Sequence, residues 1–245
     1  MLIFLKTDFS KTTKKYPSMI HVNYQGRFGN NLFQYFTATL LSAKFNQSIL
    51  NPLENKIFKF NDQCDDCKYD GNLVVNDENI FEILKLDKID KNIILDGFFQ
   101  NRTILEFLNL NKYLFEYENS KLSGTFVHVR LGDISNDSAC CKIEYYRKAL
   151  NGLKGGCISS DSPNHEMIKK LSEEFELKIF ENSPEETIIF GCQFENKILS
   201  LGTFSWWIGF LGNQNNVICP VQKEYREWHG DIFPFLNWKE VSIKN

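Results

Sequence analysis

Three short segments of the chain combine glycine with side chains that bind anions. They are residues 26–31 (GRFGNN), 128–133 (HVRLGD) and 203–207 (TFSWW). An arginine can form two parallel hydrogen bonds with a phosphate, and the first N–H groups of a helix can bind an anion. Each segment follows a predicted strand, and open α/β sheets bind ligands beyond the carboxyl ends of their strands. The three segments together predict a diphosphate site.

The second segment ends a predicted strand over residues 125–130. Side chains alternate faces along a strand, so Phe126, His128 and Arg130 are expected on one face. A buried histidine and arginine cost free energy unless they meet solvent or an anion. We therefore interpret Arg130 and His128 as phosphate ligands, with Asp133 orienting Arg130 or accepting from a sugar hydroxyl. A surface salt bridge between Arg130 and Asp133 is the alternative interpretation.

The third segment is predicted to open a helix over residues 203–211, with Thr203 as its N-cap. The N–H groups of its first turn would attract an anion by ~0.3–2 kcal/mol through the helix dipole, in addition to direct hydrogen bonds. The anion-binding interpretation depends on Gly202, Thr203, Phe204 and Ser205. One helical stripe is expected to pack in the core: Phe204, Trp207, Ile208 and Leu211.

The first segment resembles a phosphate loop only in outline. Gly26 and Gly29 stand between a predicted strand, 19–24, and a predicted helix, 32–45, but the spacing is neither G-x-G-x-x-G nor the Walker pattern. The polar residues of this segment are suited to donor or acceptor contacts: Arg27, Asn30 and Asn31.

Asp161 follows a further predicted strand, 157–160, and has two interpretations. It accepts from a ribose hydroxyl or a base edge, or it is a loop residue before Pro163. The chain contains no D-x-D, a motif that holds a divalent ion on the diphosphate in many nucleotide-sugar enzymes. We therefore expect Arg130 and the helix N-terminus to neutralise the diphosphate without a metal.

Strands and helices alternate along the second half, which predicts an α/β fold with a parallel sheet there. We expect an N-terminal arm over residues 1–18, one α/β domain over 19–120 and a second over 121–245, with a polar boundary near 111–121. The remaining predicted strands are 93–95, 177–180, 197–201 and 217–219. The remaining predicted helices are 78–86, 103–110, 142–153, 164–175 and 185–192.

Composition excludes several classes of function. The 245 residues carry a formal net charge of −3 and no basic block, which argues against a nucleic-acid partner. The apolar run over residues 1–5 is far shorter than the roughly 20 residues of a spanning helix, and too short for a signal peptide. These features predict a soluble, cytoplasmic protein.

Seven cysteines are an odd number, which favours reduced thiols over a disulfide framework. Cys64 and Cys67 form a C-x-x-C, and Cys140 and Cys141 are adjacent. A structural zinc site at these four residues is the alternative, although the second pair lacks the usual two-residue gap.

These segments, in this order, resemble the motifs of the α-1,2-fucosyltransferase family (glycosyltransferase family 11). Residues 25–35 resemble its G-G-L-G-N-Q-M-F-Q-Y, residues 128–134 its H-V-R-R-G-D-Y, and residues 201–207 its N-S-T-F-S-W-W. Shorter elements resemble G-Y-F-Q at 97–100, Y-Y-x-K-A at 145–149 and F-S-D-D-x at 158–162. Leu131 stands where the family has a second arginine. The GRFGN spelling is also similar to the first motif of protein O-fucosyltransferases.

The resemblance implies a GT-B-like fold, with two Rossmann-type domains facing a cleft, the N-terminal one on the acceptor side. It implies inverting, metal-independent transfer of L-fucose from GDP-fucose to a glycan hydroxyl, galactose O2 in an α-1,2 linkage, with no cofactor. The implied catalytic residues are Arg130, Asp133 and His128. The implied donor-binding residues are Gly26, Arg27, Gly29, Asn30, Asn31, His128, Arg130, Asp161, Thr203, Phe204 and Ser205.

Several alternatives stay open. Asp133, His21 and Asn30 are candidates for the base that takes the acceptor proton. The chain is otherwise a GDP-sugar-binding module without catalysis, or a transferase for another GDP-sugar or a protein acceptor, since a fold does not determine the substrate. The sequence indicates no oligomeric state.

Overall fold

The computed structural model describes residues 18–58, 71–115, 121–132, 141–224 and 230–242. The chain divides into two compact units, Met1–Leu114 and Phe115–Asn245. Each unit contains one parallel β-sheet. The predicted α/β class is therefore confirmed, and the first unit is parallel as well as the second. The expected arm lies, apart from Ser18, outside the described residues.

The sheet of the first unit has the strand order β2-β1-β4-β3. The strands are β1 (Met19–Val22), β2 (Ser48–Ile49), β3 (Asn72–Val75) and β4 (Asn92–Leu95). The helices are α1 (Phe28–Phe45), α2 (Ile80–Ile83) and α3 (Arg102–Leu110), followed by a 3₁₀ turn at Lys112–Leu114. In this order β1 and β4 are neighbours, so the loops that follow them meet at the carboxyl edge of the sheet.

Helix α1 begins at Phe28, four residues before the predicted start at Leu32. Arg27 is its N-cap with extended backbone, and the Arg27 carbonyl accepts from the N–H groups of Asn30 at 2.8 Å and Asn31 at 3.1 Å. Gly29, Asn30 and Asn31 therefore lie in the first turn of a helix, not in the predicted loop. The helix ends where Asn46 takes the left-handed conformation at a φ of 55°.

The sheet of the second unit has the strand order β10-β9-β8-β5-β6-β7. Its strands are β5 (Leu122–Val129), β6 (Gly156–Ser160), β7 (Leu177–Ile179), β8 (Phe194–Ile198), β9 (Asn216–Pro220) and β10 (Lys239–Val241). Its helices are α4 (Ile143–Ala149), α5 (Glu166–Phe175), α6 (Pro184–Gly191) and α7 (Thr203–Phe210), with a 3₁₀ turn at Gln222–Glu224. The order reverses between β5 and β8, which makes their carboxyl ends the topological switch point where such sheets bind ligands.

The central strand and the last α-helix of the second unit contribute fully buried residues to its core. On β5, Phe126, Val127 and Val129 are fully buried, as expected for a central strand covered on both faces. Trp206 and Trp207 of α7 are also fully buried, and the Trp206 indole Nε1 donates to the Ile232 carbonyl at 2.9 Å. Trp206 is thus a core residue, although it does not belong to the predicted apolar stripe.

Lys197 of β8 is a buried lysine that the sequence analysis did not single out. Its side chain is fully buried, and Nζ donates to the carbonyl of Asn213. Burial lowers the pKa of Lys197 to about 8, because an apolar surrounding disfavours the charged ammonium.

No helix within the described ranges combines the length and the apolar character needed to cross a membrane.

Candidate functional site

Arg130 and Gly202 meet at the switch point of the second sheet. The strand β5 ends at Val129, so Arg130 directly follows it, whereas the predicted strand included Arg130. A Cβ atom built on Gly202 would lie 2.9 Å from Arg130 Nη1, so the guanidinium rests against the Gly202 backbone. A glycine leaves room for this approach without displacing the guanidinium.

Gly202, and not the predicted Thr203, is the N-cap of α7. Its φ of 125° and ψ of 154° lie where other residues are strained. Its carbonyl accepts from Trp206 N–H at 3.0 Å, and a glycine has no side chain with which to cap the helix. Thr203 is therefore the first helical residue. The helix start beside Arg130 adds its partial positive charge to that of the guanidinium.

His128 lies on β5 and is 7% exposed. Its Nδ1 is 2.5 Å from Ser205 Oγ and 3.2 Å from Ser200 Oγ. The ring of Phe204 lies against the imidazole with centroids 4.9 Å apart. Phe204 is only half-buried, so the prediction that it packs in the core is wrong. The Ser205 hydroxyl, expected to bind the donor, is directed at His128.

Asp161 holds the backbone of the loop that follows β5. Its Oδ1 accepts from Leu131 N–H at 2.8 Å and Gly132 N–H at 3.0 Å. A Cβ on Gly132 would lie 2.7 Å from Asp161 Oδ2, which explains a glycine here. Asp161 is thus a loop-ordering residue beside Arg130, and a ribose contact stays a prediction. The third predicted catalytic residue, Asp133, lies outside the described residues.

The segment around Gly26 belongs to the first unit and lies at the carboxyl edge of its sheet. Gly26 has a φ of 75°, and a Cβ there would overlap the Asn30 side chain, 2.1 Å from Nδ2. Asn30 Oδ1 accepts from Gln100 Nε2 at 3.1 Å, and Asn31 Nδ2 donates to the Gln25 carbonyl at 3.2 Å. These amides tie the turn after β1 to the segment after β4.

Two further residues of this edge escaped the sequence analysis. Gln34, fully buried in α1, accepts from Gln25 N–H at 3.1 Å and donates to the Gly97 carbonyl at 3.0 Å. Asp77 accepts from the N–H groups of Phe98 at 2.8 Å and Phe99 at 2.6 Å. The available signal for Gln34 was its position inside the motif at residues 25–35. No pattern in the sequence pointed to Asp77.

The cysteine predictions are only partly covered by the structure. Cys141, Cys157, Cys192 and Cys219 carry thiols and form no disulfide within the described ranges, whereas Cys64, Cys67 and Cys140 lie outside those ranges. Within the described ranges, no three His, Cys, Asp or Glu side chains are grouped so as to hold a metal ion. Metal independence stays a prediction.

The structure therefore brings the second and third motifs together in one unit and places the first motif in the other. No family model matches the chain, and no curated protein matches its sequence. Among solved structures, the chain is similar to a mutant of Arabidopsis thaliana FUT1 in complex with GDP. The two chains are 10% identical, the match covers 82% of this chain and 70% of that one, and the TM-score is 0.48. A similarity of this size transfers neither family nor function, and membership of the α-1,2-fucosyltransferase family stays a prediction.

Proposed function

We propose that the chain is a glycosyltransferase that uses a GDP-sugar, with GDP-fucose as its donor. The observation that supports this most directly is the placement of Arg130 against Gly202, at the N-terminus of α7 and the switch point of the second sheet. A guanidinium and a helix N-terminus, side by side, match the charge of a diphosphate.

The proposed reaction breaks the bond between the sugar and the diphosphate. Positive charge grows on the sugar ring while negative charge grows on the leaving phosphate. Arg130 and the first N–H groups of α7 would stabilise that negative charge, which is electrostatic catalysis by preorganised donors. Asp161 supports this indirectly, because it orders the loop that follows Arg130.

The finer parts of the proposal come from the motif resemblance. They are transfer with inversion, no metal, and galactose O2 as the acceptor hydroxyl. The resemblance also assigns donor contacts to Gly26, Arg27, Gly29, Asn30 and Asn31, and to Asp161, Thr203, Phe204 and Ser205. The base is not assigned among Asp133, His21 and Asn30. A bell-shaped pH profile of kcat that is lost in Asp133→Asn would identify Asp133.

Calorimetric titration with GDP-fucose, GDP-mannose and UDP-galactose, first in EDTA and then with Mn²⁺, tests the donor. We expect EDTA-insensitive binding of GDP-fucose. Arg130→Ala should lower transfer about 10²–10³-fold while the fold is retained. Arg147→Ala is the matched control, since Arg147 pairs with Glu174 at 2.8 Å on the surface of the same unit. Near-normal turnover by Arg130→Ala, or binding that requires metal, would contradict the proposal.

A GDP-sugar-binding module without catalysis is the second candidate. The observation in its favour is Leu131, which is buried and leaves one arginine where the family motif has two. GDP-fucose binding without transfer to any of a panel of galactosides and without donor hydrolysis would favour this candidate.

A further inference from the structure

Three buried polar atoms meet where β5, β8 and the start of α7 converge. They are His128 Nδ1, Ser200 Oγ and Ser205 Oγ. The two hydroxyl oxygens are 2.8 Å apart, and each lies within hydrogen-bonding distance of Nδ1, at 2.5 Å for Ser205 and 3.2 Å for Ser200. Both serines are 1% exposed, which excludes bulk solvent as their usual partner.

The balance of hydrogen-bond donors and acceptors in this cluster determines which ring nitrogen of His128 is protonated. In the part of the chain that the structure describes, the two hydroxyls have only each other and His128 Nδ1 as acceptors. If Nδ1 is an acceptor, both hydroxyl protons are placed: one serine donates to the other, which donates to Nδ1. If Nδ1 carries a proton, three donors share two acceptors, and one buried hydroxyl proton is left without a partner, which costs free energy.

Either serine could be the one that donates to His128 Nδ1, and a backbone hydrogen bond favours Ser205. Ser200 N–H donates to Ser205 Oγ at 3.2 Å, which anchors the Ser205 oxygen from the strand side. With Ser200 O–H also donating to that oxygen, the Ser205 proton is directed to Nδ1, its nearest neighbour. Phe204 then covers one face of the ring, so that the orientation of the imidazole is determined by contacts on two sides.

We propose that Ser200 and Ser205 are positioning residues that hold His128 as a neutral imidazole with its proton on Nε2. The hydrogen bond that one ring nitrogen makes determines the state of the other. In this state the uncharged imidazole has a hydrogen-bond donor at Nε2, a group from which an anionic ligand can accept. The assignment of the tautomer is independent of the ligand, whereas the ligand-binding consequence rests on the proposed function.

NMR of protein labelled with ¹⁵N-histidine tests the assignment without ligand or acceptor. The chain has only four histidines, and the signals of His128 are identified by their loss in His128→Gln. At pH 8 we expect Nδ1 to show the shift of an unprotonated ring nitrogen and Nε2 that of a protonated one. The reverse pattern, or averaged shifts from exchanging tautomers, would overturn the proposal. This spectrum tests the tautomer of His128 even if no GDP-sugar binds to the protein.

The double variant Ser200→Ala/Ser205→Ala should release the tautomer and give averaged His128 shifts. It should also weaken GDP binding about tenfold, the effect of losing one well-placed hydrogen bond. Ser172→Ala is the matched control, because Ser172 Oγ donates to the Leu177 carbonyl at 2.6 Å, and that bond does not involve His128. Unchanged His128 shifts in a folded double variant would show that the serines do not position the ring. If the double variant does not fold, the wild-type spectrum remains decisive.

Discussion

Replacing Gly202 with alanine tests the geometry of the candidate site through one methyl group. Gly202 has a φ of 125° and a ψ of 154°, a region in which other residues are strained by about 1–3 kcal/mol. The new Cβ would lie 2.9 Å from Arg130 Nη1. Because this neighbour is the end of a flexible side chain, the guanidinium can move away, and the loss of stability should reflect mainly the backbone strain.

The functional effect should be larger than the effect on stability suggests. To regain an ordinary contact of 3.4 Å from 2.9 Å, Arg130 must move by 3.4 − 2.9 = 0.5 Å or more. Misplacement of a catalytic group by about 1 Å can lower a rate about 10²-fold. We therefore expect Gly202→Ala to lower kcat for transfer from GDP-fucose by about 10–10²-fold, with a loss of about 1–3 kcal/mol in the free energy of unfolding.

Urea denaturation and initial-rate kinetics measure these two effects. Gly152→Ala is the control: Gly152 has a φ of 81°, and a Cβ there would meet nothing within 4 Å. It should lose stability by a comparable amount but keep its activity and GDP affinity. If Gly202→Ala is destabilised as expected yet retains the kcat and GDP affinity of wild type, Arg130 is not the phosphate ligand, and our account of the site is wrong.

Two further predictions concern the second unit. Asp161→Ala removes the acceptor of the Leu131 and Gly132 N–H groups and should weaken GDP binding about tenfold, because the loop after β5 loosens. Asp161→Asn should have an intermediate affinity, since its amide oxygen still accepts. Wild-type affinity in both variants would contradict the loop-ordering role. Lys197, with a pKa lowered to about 8 from its ordinary 10.5, binds fewer protons when folded, so its contribution to the free energy of unfolding should rise with pH, by about 1 kcal/mol between pH 7.5 and 9. Lys197→Met should abolish this part of the rise in urea denaturation, and a wild-type pH dependence in the variant would show that Lys197 titrates normally in the folded state.

The elements with a strong local pattern could be predicted from the sequence. The apolar strand that carries His128 and the aromatic helix after Gly202 were both located, because a central parallel strand is buried on two faces and a core helix carries an apolar stripe. Parallel pairing then places the ends of β5 and β8 side by side, which brings Arg130 to the helix start. The positive charge at the switch point therefore follows from the order of the strands and helices.

Features that depend on long-range contacts could not be predicted. The strands β2 and β10 have two and three residues, too few to show a period, and β3 (Asn72–Val75) was not predicted either. Thr203 is the better N-cap by residue type, but Gly202 takes that position, with Arg130 against its backbone. The directions of the Ser205 and Asp161 side chains likewise depend on β5, far away in the sequence.

The side-chain bonds around the end of β5 also bear on how the chain folds. His128 is joined to Ser200 and Ser205 across 72 and 77 residues of chain, and Leu131 to Asp161 across 30. Closing such loops is slow, since entropy is lost before the contacts form. The proposed anion site should accordingly appear late in refolding, after β8 has paired with β5. Recovery of ligand binding then reports completion of the whole second sheet, and a truncated chain that retains β5 to β7 would contain Arg130 yet no site.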